Sequence, residues 1–180
     1  MRELRIHGRG GQGSVTAAEL IATAAFKSGV YSQAFPAFGV ERRGAPVQAF
    51  VRFSDEKVRL RSQIYEPDYI IVQDSSLIAD VDVFSGVKEG GIALVNTENG
   101  TVEGVPDGVK LITIDATSLA LEILGLPITN TTLMGAFAAA TGEIELKSLE
   151  EALSERFSGP LAEKNIAAAR RAYELVKEGQ

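Results

Sequence analysis

The sequence predicts an α/β fold: a three-layer α/β/α arrangement around a mixed, mostly parallel sheet. A short alternating run at residues 4–6 leads into a glycine-rich turn and then a long helical pattern, which together make a strand–turn–helix unit. Continuous apolar runs at 69–72 and 92–95 are typical of strands buried on both faces of a sheet. Because helical segments separate such runs, we expect βαβ units. With 180 residues, 45% of them apolar, the chain is predicted to form one domain over residues 1–180.

Alternation in the second quarter of the chain predicts that part of the sheet is antiparallel. Residues 47–54 alternate between apolar and polar side chains, and residues 58–61 resume the alternation after a turn, so we expect a β-hairpin. The aromatic segment 31–39 is either plain core or a segment that lines an interface or a ligand. The other expected strands are at 1–7, 69–72, 92–95 and 110–114, and the main helices at 14–28, 115–124, 130–141, 147–157 and 161–178.

Composition excludes several classes of function. The chain has no cysteine, so it forms no disulfide and cannot hold zinc or an iron–sulfur cluster through thiolates. The only histidine, His7, is expected to brace a loop or the core, and no metal site is predicted. A net charge of −6 argues against nonspecific nucleic-acid binding. No apolar run approaches the ~20 residues of a membrane span and no secretory signal is evident, so a soluble, cytoplasmic protein is expected.

The glycine-rich turn is the main candidate for ligand binding. Its spacing, Gly8-x-Gly10-x-x-Gly13, allows close approach of the backbone to a ligand, and the helix that follows offers unpaired N–H groups to an anion. The backbone at 10–13 could close on a pyrophosphate, with Gln12 and Ser14 donating side-chain hydrogen bonds. The alternative is a tight strand-to-helix turn that holds no ligand.

The residues after the turn favour a phosphorylated adenosine cofactor other than NAD. A nicotinamide site usually has an acidic residue ~20 positions beyond the glycines, and no Asp or Glu occurs between Glu19 and Glu41. Instead Arg42 and Arg43 follow, and guanidinium groups suit phosphates. NADP or coenzyme A is therefore favoured.

Four stretches together resemble a known family, the gamma subunit or gamma-type domain of the 2-oxoacid:ferredoxin oxidoreductases, of which pyruvate synthase is the best-known member. The stretches are HGRGGQGSVTAAELIA at 7–22, the stretch from YSQAFPAFGVERRGAP to EPDYIIVQD at 31–74, NTTLMGAFAAATG at 130–142 and LAEKNIAAARRAYE at 161–174. They follow the family's order and cover most of the chain.

The resemblance implies a hetero-oligomeric enzyme. The complete enzyme would convert a 2-oxoacid, coenzyme A and oxidised ferredoxin into acyl-CoA, CO₂ and reduced ferredoxin. Coenzyme A would be associated with this chain, while the partner alpha, beta and delta subunits would hold thiamine diphosphate and the iron–sulfur clusters. The resemblance also implies that the isolated chain is inactive. The alternatives are the small subunit of an indolepyruvate oxidoreductase, an NADP-binding reductase and a purely structural subunit.

The resemblance also supplies candidate cofactor-binding residues, none of them catalytic. Arg42 and Arg43 match a basic position of the family, and Lys164 with Asn165 matches a later polar pair. The full predicted set is the turn Gly8, Arg9, Gly10, Gly11, Gln12, Gly13, Ser14 and Val15, the arginines Arg42 and Arg43, and the helix start Asn130 and Thr131.

Overall fold

A six-stranded sheet forms the centre of the computed structural model, which describes residues 1–37 and 42–179. The strand order is β2-β3-β1-β4-β5-β6. Strand β3 is antiparallel to both of its neighbours, and β1, β4, β5 and β6 are parallel to one another, so five of the six strands point the same way. The strands are β1 (Arg2–Arg9), β2 (Tyr31–Pro36), β3 (Pro46–Ser54), β4 (Tyr69–Val72), β5 (Ile92–Asn96) and β6 (Lys110–Ile114). The predicted mixed, mostly parallel sheet is confirmed.

The helices are distributed unequally over the two faces of the sheet. Five helices lie on the side of the face with Leu4, Ile71 and Leu94. The other face, with Ile70, Val72 and Ala93, is covered by one short helix and irregular segments. The described helices are α1 (Ser14–Lys27), α2 (Leu77–Asp80), α3 (Ala116–Leu124), α4 (Asn130–Thr141), α5 (Leu146–Arg156) and α6 (Gly159–Glu178), of which only α2 lies on the thinner side. On the thicker side, α1, α4 and α6 contact the strands of the sheet. None of the helices in the described ranges has both the length and the apolar character needed to cross a membrane.

The predicted hairpin at 58–61 is wrong. These residues form no strand, and β3 pairs with β1 on one edge and β2 on the other. Since both edges of β3 are occupied, the alternating segment cannot pair with β3 as a hairpin. The buried guanidinium of Arg52 instead donates to the carbonyl oxygen of Ser62 at 2.7 Å, which ties this segment to the face of the sheet. Residues 38–41, which include the end of the aromatic segment and Glu41, lie outside the described residues.

Helices α4 and α6 run parallel, so their N-termini point towards the same edge of the molecule. Thr131 contacts Asn165, and one turn later the backbone of Gly135 meets that of Ala169. A Cβ atom at Gly135 would lie only 2.8 Å from Ala169 Cα, which shows that glycine permits this close helix contact.

Candidate functional site

A crevice of about 680 Å³ lies between the carboxyl ends of β1 and β4. The chain leaves β1 through α1 towards β2 on one side, and leaves β4 through α2 towards β5 on the other. The crevice therefore lies at the switch point of the sheet, where ligands bind in open α/β proteins. It is lined by residues 11–13 of the glycine turn, 73–75 and 96–99 after β4 and β5, Thr117 in α3, and 127–130 at the start of α4.

The first glycine of the motif makes room for a contact within the protein. A Cβ atom at Gly8 would collide with both Ser14 Oγ and Gln73 Oε1. These two side-chain atoms are 2.5 Å apart, with the Ser14 hydroxyl donating to the Gln73 oxygen. Gly8 therefore makes room for the junction between β1, β4 and α1. The Ser14 hydroxyl, predicted to donate to a ligand, donates to Gln73 instead.

The second glycine brings the arginine segment to the turn. Gly10 N donates to Ala45 O at 2.8 Å, and Gly44 N donates to Gly10 O at 3.0 Å. A Cβ atom at Gly10 would lie 2.9 Å from the carbonyl carbon of Arg42, so only glycine allows this approach. Arg42 and Arg43 are both exposed, and neither forms an ion pair with any described residue.

Gly11 and Gly13 set the shape of the turn itself. Their φ angles are 94° and 75°, in the left-handed region that favours glycine. A Cβ placed at Gly11 would lie 3.9 Å from Arg43 Cγ, so this arginine lies beside the turn. Gly13 is the N-cap of α1, and no side chain caps this helix. The unpaired N–H groups at the start of a helix therefore remain available at the rim of the crevice.

Two more helices begin at the same crevice. Thr117 lies in the first turn of α3 and Asn130 is the first residue of α4, while Asn130 Nδ2 donates to Gly13 O at 3.4 Å. No acidic residue occurs in the first turn of α1, α3 or α4. Asp115 is the N-cap of α3, however, and its carboxylate accepts from Ser118 N. The positive dipole ends of α1 and α4, but not that of α3, are therefore left without an acidic cap where the crevice lining itself contains no Lys or Arg.

Several predicted side chains are engaged in internal contacts. Arg9 forms ion pairs with Asp80 at 2.7 Å and Asp74 at 3.3 Å. Gln12 accepts from the Arg9 backbone N–H at 2.7 Å and donates to Asp74 at 3.1 Å. These contacts shape the turn and leave neither side chain free.

Other predicted residues do not line the crevice. Thr131 is 1% exposed, and its hydroxyl donates to Asn165 Oδ1 at 2.7 Å, which joins α4 to α6. Val15 packs against the core, and Lys164 is exposed on α6. Of the predicted set, Gly11, Gln12, Gly13 and Asn130 line the crevice.

Two carboxylates also line the crevice, those of Asp74 and Glu98. Burial acts to raise the pKa of Asp74, but hydrogen bonds from Ser76 and Gln12 together with the charge of Arg9 outweigh it, so the pKa lies below its usual value. Asp74 is therefore ionised at neutral pH. Since the carboxylates disfavour anions in the interior of the crevice, a phosphate is better accommodated at the turn and beside the arginines.

The polar residues at the ends of β4 and β5 were not among the predicted site residues. Asn96 Nδ2 donates to Gln73 O at 2.9 Å and to Thr117 Oγ1 at 3.0 Å, while its Oδ1 accepts from Ala116 N. Asn96 thereby fixes the start of α3 against the ends of two strands. The available signal was the sudden change from apolar to polar residues after each buried run, because such ends meet at the switch point.

The fold and the crevice together define an α/β protein with a glycine-rich turn at the switch point of its sheet. The chain belongs to the pyruvate ferredoxin/flavodoxin oxidoreductase family, whose model matches residues 3–175. It is similar to the pyruvate/ketoisovalerate oxidoreductases common subunit gamma of Thermococcus kodakarensis, with 57% identity over 177 residues that cover 96% of each chain. The predicted family, a gamma subunit of a 2-oxoacid:ferredoxin oxidoreductase, is confirmed.

Solved structures agree with this fold. The crystal structure of the pyruvate oxidoreductase subunit PORC from Thermotoga maritima is 36% identical, with a TM-score of 0.85 over 96% of this chain and 95% of that chain. The 2-oxoglutarate:ferredoxin oxidoreductase of Magnetococcus marinus, solved with 2-oxoglutarate, coenzyme A and succinyl-CoA bound, is 23% identical with a TM-score of 0.82. That match covers 98% of this chain and 31% of the longer one, and it shows likeness of fold alone.

Proposed function

We propose that this chain, as a single gamma-type domain over residues 1–180, binds coenzyme A at the switch-point crevice. The observation that carries the proposal is the uncapped start of α1 at Gly13, beside the starts of α3 and α4 and beside the exposed Arg43. Helix N-termini and guanidinium groups are the groups that proteins use for phosphates. The coenzyme A in the Magnetococcus marinus enzyme supports the choice of ligand.

The charges of the site suggest where each part of coenzyme A would lie. Coenzyme A has a phosphorylated adenosine, a diphosphate and a neutral arm that ends in a thiol. The phosphates would lie against the backbone of the glycine turn and against Arg42 and Arg43. Its neutral parts would enter the crevice near Asp74 and Glu98, where a second anion is disfavoured.

In this proposal the chain orients coenzyme A but performs no proton transfer on the 2-oxoacid. Coenzyme A supplies the thiol that accepts the acyl group. Within the described residues His7 is buried and neutral, because burial and then the nearby Arg5 lower its pKa to about 3, so it offers no acid at neutral pH. The contribution of this chain is to position the cofactor and to neutralise its phosphates.

The chemistry therefore requires partner chains. We infer that alpha, beta and delta subunits hold thiamine diphosphate and the iron–sulfur clusters, and that the complex reduces ferredoxin in the cytoplasm. The lack of any cysteine in this chain fits that division. The names of its relatives favour pyruvate or ketoisovalerate as the 2-oxoacid. The purified chain should show neither 2-oxoacid oxidation nor NADPH oxidation, and either activity would contradict the proposal.

Calorimetric titration of the full chain tests the cofactor. Coenzyme A should bind more tightly than dephospho-coenzyme A or NADP. Arg42→Ala and Arg43→Ala should each weaken binding by about tenfold, the value of one hydrogen bond to a charged group. Arg59→Ala is the matched control, because Arg59 is exposed and does not line the crevice. Unchanged affinity in both arginine variants, or preference for NADP, would refute this binding mode.

A further inference from the structure

The Gln73 side chain is an unsatisfied polar group at the wall of the crevice. It directly follows β4 and is only 2% exposed. Its Oε1 accepts the hydrogen bond from Ser14, whereas its Nε2 has no hydrogen-bond partner among the described residues. Leaving a buried amide donor unpaired is unfavourable, and such groups in folded proteins usually have a specific reason.

The other buried or half-buried amides at the crevice have a partner for both the oxygen and the nitrogen. Gln12 uses its oxygen for Arg9 N and its nitrogen for Asp74. Asn96 uses its nitrogen for two acceptors and its oxygen for Ala116 N. Asn130 donates to Gly13 O and accepts from Thr131 N. Among these amides of the described residues, Gln73 is therefore the one whose nitrogen has no hydrogen-bond partner at all.

The geometry around Gln73 holds this donor in one position. The Ser14 hydroxyl fixes the amide oxygen, and Asn96 fixes the backbone carbonyl of the same residue. Gly8 lies directly against the amide, where any side chain would collide with it. Three neighbouring elements, β1, α1 and β5, thus orient one amide whose nitrogen is unused, as expected of a preorganised binding group.

We propose that Gln73 contacts the ligand, with its Nε2–H donating to an acceptor oxygen of coenzyme A while Ser14 holds its Oε1. This inference rests on the proposed function and adds a residue that the glycine motif did not indicate. The acceptor is an oxygen of the phosphates or of the amide arm. In either case Ser14 is a positioning residue, since it acts through Gln73, and Gly8 provides the space for both.

Two variants of the full chain separate this role from a structural one. Gln73→Glu keeps an acceptor for the Ser14 hydroxyl but replaces the donor by an anion. Gln73→Met removes the donor without adding charge. Thermal melting without ligand first establishes that each variant is folded. Calorimetry should then show coenzyme A binding about tenfold weaker for Gln73→Met and weaker still for Gln73→Glu.

Asn99→Asp is the matched control for charge. Asn99 lines the same crevice but is exposed, so the variant adds a negative charge without removing the buried donor. It should weaken binding by no more than about threefold. If Asn99→Asp weakened coenzyme A binding as much as Gln73→Glu does, general charge repulsion would explain the weaker binding without a lost contact. That result would overturn the inference.

A second ligand identifies the source of the acceptor oxygen. Adenosine 3′,5′-bisphosphate lacks the amide arm. If its affinity also falls in Gln73→Met, the contact is to a phosphate, and if only coenzyme A is affected, the contact is to the arm. Wild-type affinity in Gln73→Met would refute the role of Gln73. Wild-type affinity in Gln73→Glu would also refute it, because it would mean that the side-chain oxygen, and not the nitrogen, faces the ligand. Absence of binding to the wild-type chain would instead refute the proposed function.

Discussion

Replacing Gly10 by alanine should detach the arginine segment from the glycine turn. The new Cβ would lie 2.9 Å from the carbonyl carbon of Arg42, whereas nonbonded carbon atoms prefer ~3.5–4.0 Å. Residues 42–45 would have to move by roughly 1 Å, which breaks the two backbone hydrogen bonds between Gly10 and this segment. At ~1 kcal/mol for each bond and ~1–3 kcal/mol for overpacking, the free energy of unfolding should fall by about 3–5 kcal/mol.

Urea denaturation followed by circular dichroism measures this loss, and titration with coenzyme A measures its consequence for the site. Gly179→Ala is the matched control, because its Cβ would have ordinary contacts, the nearest at 3.5 Å. The control should change stability by less than ~0.5 kcal/mol. Since displacement of residues 42–45 moves both arginines, affinity should fall in Gly10→Ala only. Wild-type stability and affinity in Gly10→Ala would refute the argument that glycine is required here for close approach.

Two further predictions concern stability. Burial, and then Arg5, lower the pKa of His7 to about 3, so the unfolded chain takes up a proton below pH ~6.5 that the folded chain does not. The free energy of unfolding should therefore fall by at most ~1.4 kcal/mol per pH unit as the pH decreases, as the contribution of this group. Urea denaturation between pH 7 and 5 should show that His7→Gln removes this part of the pH dependence. Equal pH dependence in the variant and the wild type would contradict the prediction. Gly135→Ala should destabilise the chain by more than ~3 kcal/mol, because the Cβ would force α4 and α6 apart. The exposed Ala167→Gly in α6 should cost only ~1 kcal/mol, and a Gly135→Ala variant of wild-type stability would disprove the contact.

Local patterns were sufficient to predict most of the elements. The helices at 14–28, 130–141 and 147–157 begin and end within one residue of their predicted positions, because amphipathic spacing and flanking glycines act over a few residues. The prediction of a hairpin at 58–61 is wrong because the alternation of apolar and polar residues cannot reveal whether the edge of a neighbouring strand is already occupied. That information depends on how β1 and β2 pair with β3.

Individual site residues were harder to predict than the turn that positions them. The sequence cannot distinguish Arg9, which forms ion pairs with Asp74 and Asp80, from Arg43, which is exposed beside Gly11. It also cannot distinguish Gln12, whose amide oxygen and nitrogen both have hydrogen-bond partners, from Gln73, whose nitrogen has none among the described residues. These distinctions depend on neighbours that are about 30 to 70 residues away in the chain.

The sequence by itself determined the α/β class, the glycine turn before the first helix and the family, since each is written in short stretches of neighbouring residues. Only the tertiary structure decided which polar groups face the crevice. Parallel pairing of β1 with β4 brings Gly8 against Gln73, and the approach of residues 42–45 to Gly10 brings the arginines to the turn. Contacts between distant segments decide which polar side chains already have hydrogen-bond partners, and such contacts exist only after the chain has folded.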